Sequence, residues 1–218
     1  IRDRTCTYQK EFGFDSNIKL IYNGFTAISQ QIYPYIYSGK INILFAGRFV
    51  PQKGIPVLIN IIKRVDEKVF YFHIAGKGPL EEIILQELGN KSNVRITPPI
   101  FSLAQYLSSF DYVFIPSEHE GLNSLSIESS INKVPVIIND IDGLNETLPQ
   151  NYPLKVKNNC IDEYMTLFTD VIPTIDRVSL IDSVYQYSCQ KFDIQQMQKQ
   201  YEYIYKTGKK YGCFFHEK

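Results

Sequence analysis

Asp111-Tyr-Val-Phe-Ile-Pro-Ser-Glu-His-Glu120-Gly-Leu-Asn-Ser-Leu-Ser-Ile-Glu128-Ser-Ser-Ile-Asn132 reads as strand, turn and helix in succession. The run 111–115 is short, apolar and bounded by Pro116, as a buried strand is. The stretch 124–132 has helical spacing, with Asn123 placed to cap its start. Glu120 lies in the turn, free to accept hydrogen bonds from hydroxyls, and the amides of Gly121, Leu122, Asn123 and Ser124 can face a sugar or phosphate. Glu128 falls just over one turn into the helix, on the side of Leu125, and is drawn toward the sheet. A carboxylate buried there needs a partner, which ribose hydroxyls or a salt bridge could supply. Both acids sit where strand becomes helix, the ligand edge of a parallel sheet.

Working outward, strand-sized apolar runs recur at 18–21, 41–46, 69–75, 94–96, 112–115 and 134–138. Helical patterns alternate with them at 56–65, 79–88, 102–108 and 124–132. In the first, Leu58, Ile61, Ile62 and Val65 share a face and Pro56 suits the opening turn. Repeated βα units need crossover packing, so the expected fold is α/β, a Rossmann-like, doubly wound and mostly parallel sheet. After Pro153 a short strand at 154–156 and helices at 161–168, 176–187 and 194–206 are expected. The last carries Ile194, Met197, Tyr201, Ile204 and Tyr205 as an apolar stripe, read as packing on this same domain, with a neighbouring domain as the alternative. The expected organisation is one domain over 1–206, with its core at 15–206 and a tail at 207–218.

Composition narrows the function. The 218 residues suit one domain with a full core, and 44% hydrophobic with 21% charged residues is ordinary for a globular protein. Lys plus Arg equals Asp plus Glu at 23 each, so no global field draws nucleic acid or an anionic membrane. Cys6, Cys160, Cys189 and Cys213 form no short pairing motif, which points to a reducing, cytoplasmic setting. No run reads as a membrane span or a signal sequence. The opening Ile1-Arg-Asp-Arg4 hints at a fragment boundary.

Gly47-Arg48-Phe-Val-Pro-Gln-Lys53-Gly54 follows one strand and precedes a helix. Arg48 offers a planar fork and Lys53 a mobile point charge to a phosphate, while Gly47 permits close backbone approach. Two solvated basic residues are the plain alternative. Gly76 and Gly78, in His73-Ile-Ala-Gly-Lys-Gly-Pro79, could admit a base or ribose, or could serve only a turn. Neither the dinucleotide fingerprint nor the triphosphatase loop is present. His73 reads as a hydrogen-bonded core residue. His73, His119 and His216 form no metal-ligand set with the cysteines, so no metal is expected. Ser117 and Ser124 lack the glycine-flanked elbow of serine hydrolases. Glycoside hydrolysis, which needs two facing carboxyl groups, is disfavoured because one acid is expected in the turn and the other beside the sheet. Tyr33, Tyr35 and Tyr37 lack basic interleaving and read as packing or surface rather than a stacking platform for nucleic acid.

Taken in order, Asn23-Gly24, Gly47-Arg48 to Lys53-Gly54, Ala75-Gly-Lys-Gly-Pro79, Ser117-Glu-His-Glu120-Gly121 to Glu128, and Pro135 to Gly143-Leu-Asn-Glu146 resemble the donor-binding half of retaining GT-B glycosyltransferases of family GT4, glycosyltransferase group 1. The likeness covers about residues 15–206, and Glu120 with Glu128 matches the family's Glu-seven-residues-Glu signature. It implies a donor domain facing an amino-terminal acceptor domain across a cleft. Arg48 and Lys53 match the positive pair for the donor diphosphate, Glu120 the acid on the transferred sugar, and Glu128 the acid on the nucleotide ribose. Glu120 with Arg48 and Lys53 would carry the chemistry; Gly47, Gly76, Gly78 and Gly121 to Ser124 would complete the donor site. The implied donor is a UDP-, GDP- or ADP-sugar with no required cofactor, and the implied acceptor is a glycan or glycolipid held by the missing amino-terminal domain, with peripheral membrane association of the full enzyme. The alternative is a noncatalytic nucleotide-sugar-binding or protein-interaction module. Asn123 replaces a frequent glycine and Asp142-Gly143 a frequent Gly-Gly pair, while Ser129-Ser130 stands for a more apolar small-residue stretch.

Overall fold

The computed structural model describes residues 20–207. Six strands form one all-parallel sheet: β1 Ile41–Arg48, β2 Phe70–Lys77, β3 Val94–Thr97, β4 Tyr112–Ile115, β5 Val136–Asn139 and β6 Lys155–Val156, in the order β3-β2-β1-β4-β5-β6. The helices are α1 Ile55–Arg64, α2 Glu81–Leu88, α3 Ser124–Ile131, α4 Ile161–Thr166, α5 Arg177–Lys191 and α6 Ile194–Thr207. Helix α1 packs against α2 and α4, and α3 against α5, as a doubly wound sheet requires.

Strand order reverses between β1 and β4, and the register shows the consequence. β1 pairs with β2 along its whole length, from Ile41 opposite Phe70 to Arg48 opposite Lys77. Its pairing with β4 ends at Leu44 opposite Val113. Beyond that point the two chains diverge and a crevice opens at their carboxyl ends.

The central strands are apolar on both faces because helices cover both. Ile43, Leu44, Phe72, Ile74, Val113, Val136, Ile137 and Ile138 are all fully buried. α1 buries Ile55, Leu58, Ile59, Ile61 and Ile62, each worth roughly 1.5–3 kcal/mol against exposure. Gly54 starts that helix from a left-handed conformation, φ 70°. Phe168 packs edge-on against Phe70 and Phe114, at 5.3 and 5.9 Å between ring centres. The buried Tyr152 hydroxyl donates to the Val136 carbonyl at 2.6 Å and accepts from the Val136 amide at 3.0 Å, so a phenol inside the core stays satisfied.

Three expectations are corrected or left open. The stretch 102–108 is two 3-10 turns, Leu103–Gln105 and Leu107–Ser109, rather than one helix. Its polar groups are taken by a distant segment: Gln31 N–H donates to the Gln105 carbonyl, Ser108 N–H to Gln30 Oε1, and Tyr33 N–H to Ser109 Oγ. No strand forms at Leu20 and Ile21; the nearest pairing is a single bridge, Phe25 with Asp193, while 18–19 and the tail lie outside the described residues. The stripe on α6 divides. Met197 Sδ accepts from Gly24 N–H at 3.0 Å, whereas Tyr201 and Tyr205 are exposed and stack on each other at 6.3 Å.

His73 is a core histidine, with Nε2 at 2.9 Å from Asn42 Oδ1; burial, helped by Arg95, holds its pKa down at about 4. Tyr33 is buried, Tyr35 lies over the Arg95 guanidinium at 3.6 Å, and Tyr37 stacks on Tyr71 at 4.8 Å, which accounts for the tyrosine cluster as packing.

The loop after β1 is seated on the end of β2. A Cβ added at Gly76 would stand 2.0 Å from the Gly47 carbonyl and 2.6 Å from the Phe49 ring; at Gly121 it would meet nothing within 4 Å. Gly76→Ala is therefore expected to lower the unfolding free energy by about 1–3 kcal/mol. Gly121→Ala should stay within about 0.5 kcal/mol of the parent. Urea unfolding of both variants checks this, and equal midpoints would refute it.

Candidate functional site

Lys53 ends a 3-10 turn, Pro51–Lys53, closed by Lys53 N–H on the Val50 carbonyl at 3.0 Å. Its stem passes 3.9 Å from where a Cβ on Gly47 would stand, an ordinary contact. The ammonium reaches Glu120 Oε1 at 2.6 Å, with the two side chains 24% and 11% exposed. This ion pair spans the crevice between β1 and β4 and borders a cavity of about 300 Å³. Phe45 and Phe114 contribute apolar walls, and Ser117, Leu122, Asn123 and Ser124 line the remainder.

The loop bearing Glu120 is held by backbone contact on three sides. Glu118 N–H donates to the Gln52 carbonyl at 2.9 Å. A Cβ on Gly54 would lie 1.9 Å from the Pro116 carbonyl, so the β1 and β4 loops touch main chain to main chain. Gly143, at φ +86°, would place a Cβ 1.8 Å from the Gly121 carbonyl. The loop after β5 is thus a wall against Glu120-Gly121, and its glycine serves that contact. Asn139 Nδ2 donates to the Ser117 carbonyl at 2.9 Å while Oδ1 accepts from Asn159 N–H at 3.0 Å, and Asn159 in turn donates to the Pro116 carbonyl.

Asn123 caps α3: its side chain accepts from Ser126 N–H at 2.8 Å. Such a cap is worth about 1 kcal/mol. Ser124 and Leu125 line the cavity, so the first-turn amides, which lack intrahelical acceptors, begin at its edge. Ser126, Ser129 and Ser130 are buried, their hydroxyls bonded to Thr147 Oγ1, the Leu125 carbonyl and the Ser126 carbonyl, which lets small polar residues fill a packed helix face.

The predicted residues divide into groups. Lys53, Glu120, Leu122, Asn123 and Ser124 border one cavity. Gly121 is exposed beside it, with open space at its Cβ. Arg48 is exposed at the end of β1, opposite Lys77 and outside that cavity. Gly76 and Gly78 make way for the Gly47–Phe49 backbone, since a Cβ on Gly78 would meet the Phe49 carbonyl at 2.6 Å. Glu128 is half-buried on α3 outside the cavity lining, and its carboxylate has no hydrogen bond or ion pair among the described residues. Burial raises its pKa. Asn139 and Asn159 were not singled out from the sequence. The available signal was an asparagine ending an otherwise apolar strand.

A larger groove of about 460 Å³ between α1 and α2, lined by Ile55, Ile59, Leu80 and Ile83, holds none of the predicted residues. The smaller cavity has the convergent charges and lies at the reversal of strand order, and it is the candidate site. Among the described residues no group of three His, Cys, Asp or Glu is placed to hold a metal ion, and no helix is long and apolar enough to cross a membrane.

This architecture is found in solved glycosyltransferases. The chain superposes on Anabaena HepE in complex with UDP-glucose with a TM-score of 0.72 at 17% identity, covering 87% of this chain and 57% of that one. On sucrose-phosphate synthase from Thermosynechococcus elongatus the TM-score is 0.77 at 18% identity, over 94% and 56%. The fold and the site position define a Rossmann-like domain of GT-B type. An uncharacterised glycosyltransferase of Methanocaldococcus jannaschii is 32% identical over 164 residues, 66% of this chain and 42% of that protein. The profile of the glycosyl transferases group 1 matches residues 40–169, more than half of the chain, and the chain belongs to that family. It spans about two fifths of the length of the curated relatives it matches first.

A carboxyl group whose pKa is raised on folding binds more protons folded than unfolded from its ordinary value of 4.5 upward. Its contribution to stability is full below 4.5 and is lost as pH rises through the folded-state value. Glu128→Gln should therefore stabilise the ligand-free chain at neutral pH and flatten its stability profile between about pH 4 and 7. Urea unfolding across that range checks it, and an unaltered slope would count against burial as the cause.

Proposed function

We propose that this chain is the donor-binding domain of a retaining glycosyltransferase that transfers a hexosyl or related sugar from a UDP-, GDP- or ADP-sugar to a glycan or glycolipid. The observation that carries the reading is the Lys53–Glu120 pair at 2.6 Å across the β1/β4 crevice, beside the start of α3. A cation, an acid and helix amides at one point suit a substrate that is anionic at one end and rich in hydroxyls at the other. The UDP-glucose complex of HepE, which shares the fold, supports a nucleoside-diphosphate donor.

In this reading donor binding exchanges partners. The diphosphate takes Lys53, with Arg48 reaching in from the rim and the Gly121 to Ser124 amides beside it. Glu120 then turns to the hydroxyls of the transferred sugar, and the unpartnered Glu128 carboxylate accepts from the ribose. As the bond between anomeric carbon and phosphate oxygen breaks, negative charge grows on the leaving diphosphate, where Lys53 and the amides stabilise it. The acceptor hydroxyl oxygen bonds to the anomeric carbon on the face from which the diphosphate departs, which retains configuration, and the leaving phosphate oxygen takes its proton. Glu120 steadies the electron-poor sugar without forming a bond to it. Gly76 and Gly78 contribute by seating the loop that runs from Gly47 to Phe49. The acceptor is held by an amino-terminal domain of the full protein, which works at the cytoplasmic face of a membrane.

Removing one well-aimed donor costs about 3–4 kcal/mol in the transition state, or roughly 10²–10³ in rate. Lys53→Ala in the full-length protein is expected to lower nucleoside diphosphate release by that factor while shifting the melting temperature little. Pairing it with Glu120→Gln removes the carboxylate left unpaired and should not restore turnover. Calorimetric titration with UDP-, GDP- and ADP-sugars identifies the donor. Normal turnover by folded Lys53→Ala would end this reading, and donor binding without acceptor-dependent release would mark a noncatalytic binding module.

A further inference from the structure

The segment carrying Tyr22 is tied to the Glu120 loop by two separate routes. Tyr22 Oη donates to Glu146 Oε2 at 2.8 Å, and Glu146 lies three residues beyond Gly143, which is pressed on the Gly121 carbonyl. Leu122, in the Glu120 loop itself, packs against the small cluster of Ile127, Ile131 and Phe192, which Tyr22 also covers. The Tyr22 and Phe192 rings meet edge to face at 5.4 Å.

Lys191, in the last turn of α5, joins the two routes. Its ammonium donates to the Glu146 carbonyl at 2.7 Å and to Tyr187 Oη at 2.8 Å, and stands 5.0 Å from the centre of the Tyr22 ring. A helix carboxyl end favours a cation there. Burial lowers the Lys191 pKa, opposed by the Glu146 carboxylate. A half-buried lysine head is costly unless its donors are used. Here they hold the β5 loop at a fixed height.

We infer that Tyr22, Glu146 and Lys191 are positioning residues that set the Glu120-Gly121 peptide over the cavity, and so aim Glu120 at the donor sugar. The inference rests on the reading that Glu120 meets that sugar. Lys53 comes from the β1 loop, so its contact to the diphosphate does not pass through this latch. Loosening it should therefore lower turnover more than donor affinity.

Tyr22→Phe keeps the ring against Lys191 and Phe192 and removes one hydrogen bond. In the full-length protein kcat is expected to fall about tenfold, since small misplacements of a reacting group are costly, with a smaller change in donor KM and an unchanged melting temperature. Glu146→Gln keeps an acceptor for Tyr22 and should retain kcat, whereas Glu146→Ala should lose it as Tyr22→Phe does. Amide exchange at Ser126 and Ile127, whose N–H groups are held by Asn123, should quicken by about threefold or more in Tyr22→Phe. Equal kcat and exchange in Tyr22→Phe and parent would overturn the latch, as would a loss of kcat matched by a lower melting temperature and a raised KM. If the parent releases nucleoside diphosphate from no donor, the glycosyl-transfer reading fails by itself, and the exchange rates alone still decide whether the latch exists.

Discussion

The reversal of strand order between β1 and β4 is the constraint on which the rest of the molecule depends. Pairing that persists to Arg48 on one side and stops at Leu44 on the other leaves the carboxyl end of β1 with a free flank. Among the described residues no strand closes the space beyond that point, and the loops leaving β1 and β4 meet across it. What fills its borders is chemistry: Lys53 from one loop, Glu120 from the other, and the start of α3 below them.

A crevice fixed by topology still needs walls that do not drift, and here backbone supplies them. Gly54 against Pro116 and Gly143 against Gly121 bring main chain onto main chain, at separations no side chain would allow. Contacts of that kind have no rotamers to relax into, so the loops move together or not at all. Electrostatics adds a second restraint. Lys53 and Glu120 neutralise each other across the crevice, tying the β1 loop to the β4 loop. Glu128 receives no such compensation. A half-buried carboxylate without a partner weakens the fold at neutral pH.

Most of this was legible from the chain because the central strands are buried on both faces and read as unbroken apolar runs. The Asn123 cap was legible too, being local: donor and acceptor lie three residues apart. What escaped depended on residues far away in sequence. The stretch 102–108 has helical periodicity, yet hydrogen-bonding groups there and at Ser109 are claimed by residues 30–33, and two 3-10 turns result. Gly76 and Gly78 carry the composition of a ligand-cradling turn, and only the position of Phe49 shows that the space they leave is already used. Tyr22 and Glu146 stand 124 residues apart, and nothing in either local sequence announces the other.

The asparagine at 123 shows how a side chain at the lip of the cavity can serve the helix behind it. Its backbone sits at φ −80°, ψ 105°, a conformation any residue adopts, so nothing in the fold demands glycine there. Its side chain is turned back to the Ser126 amide and the residue is 6% exposed, which costs the cavity little room. Glycine at this point would leave the Ser126 N–H for solvent or ligand to satisfy; asparagine satisfies it internally and stiffens the first turn of α3. The capped first turn therefore holds the amides that precede Ser126 in a fixed direction at the edge of the cavity.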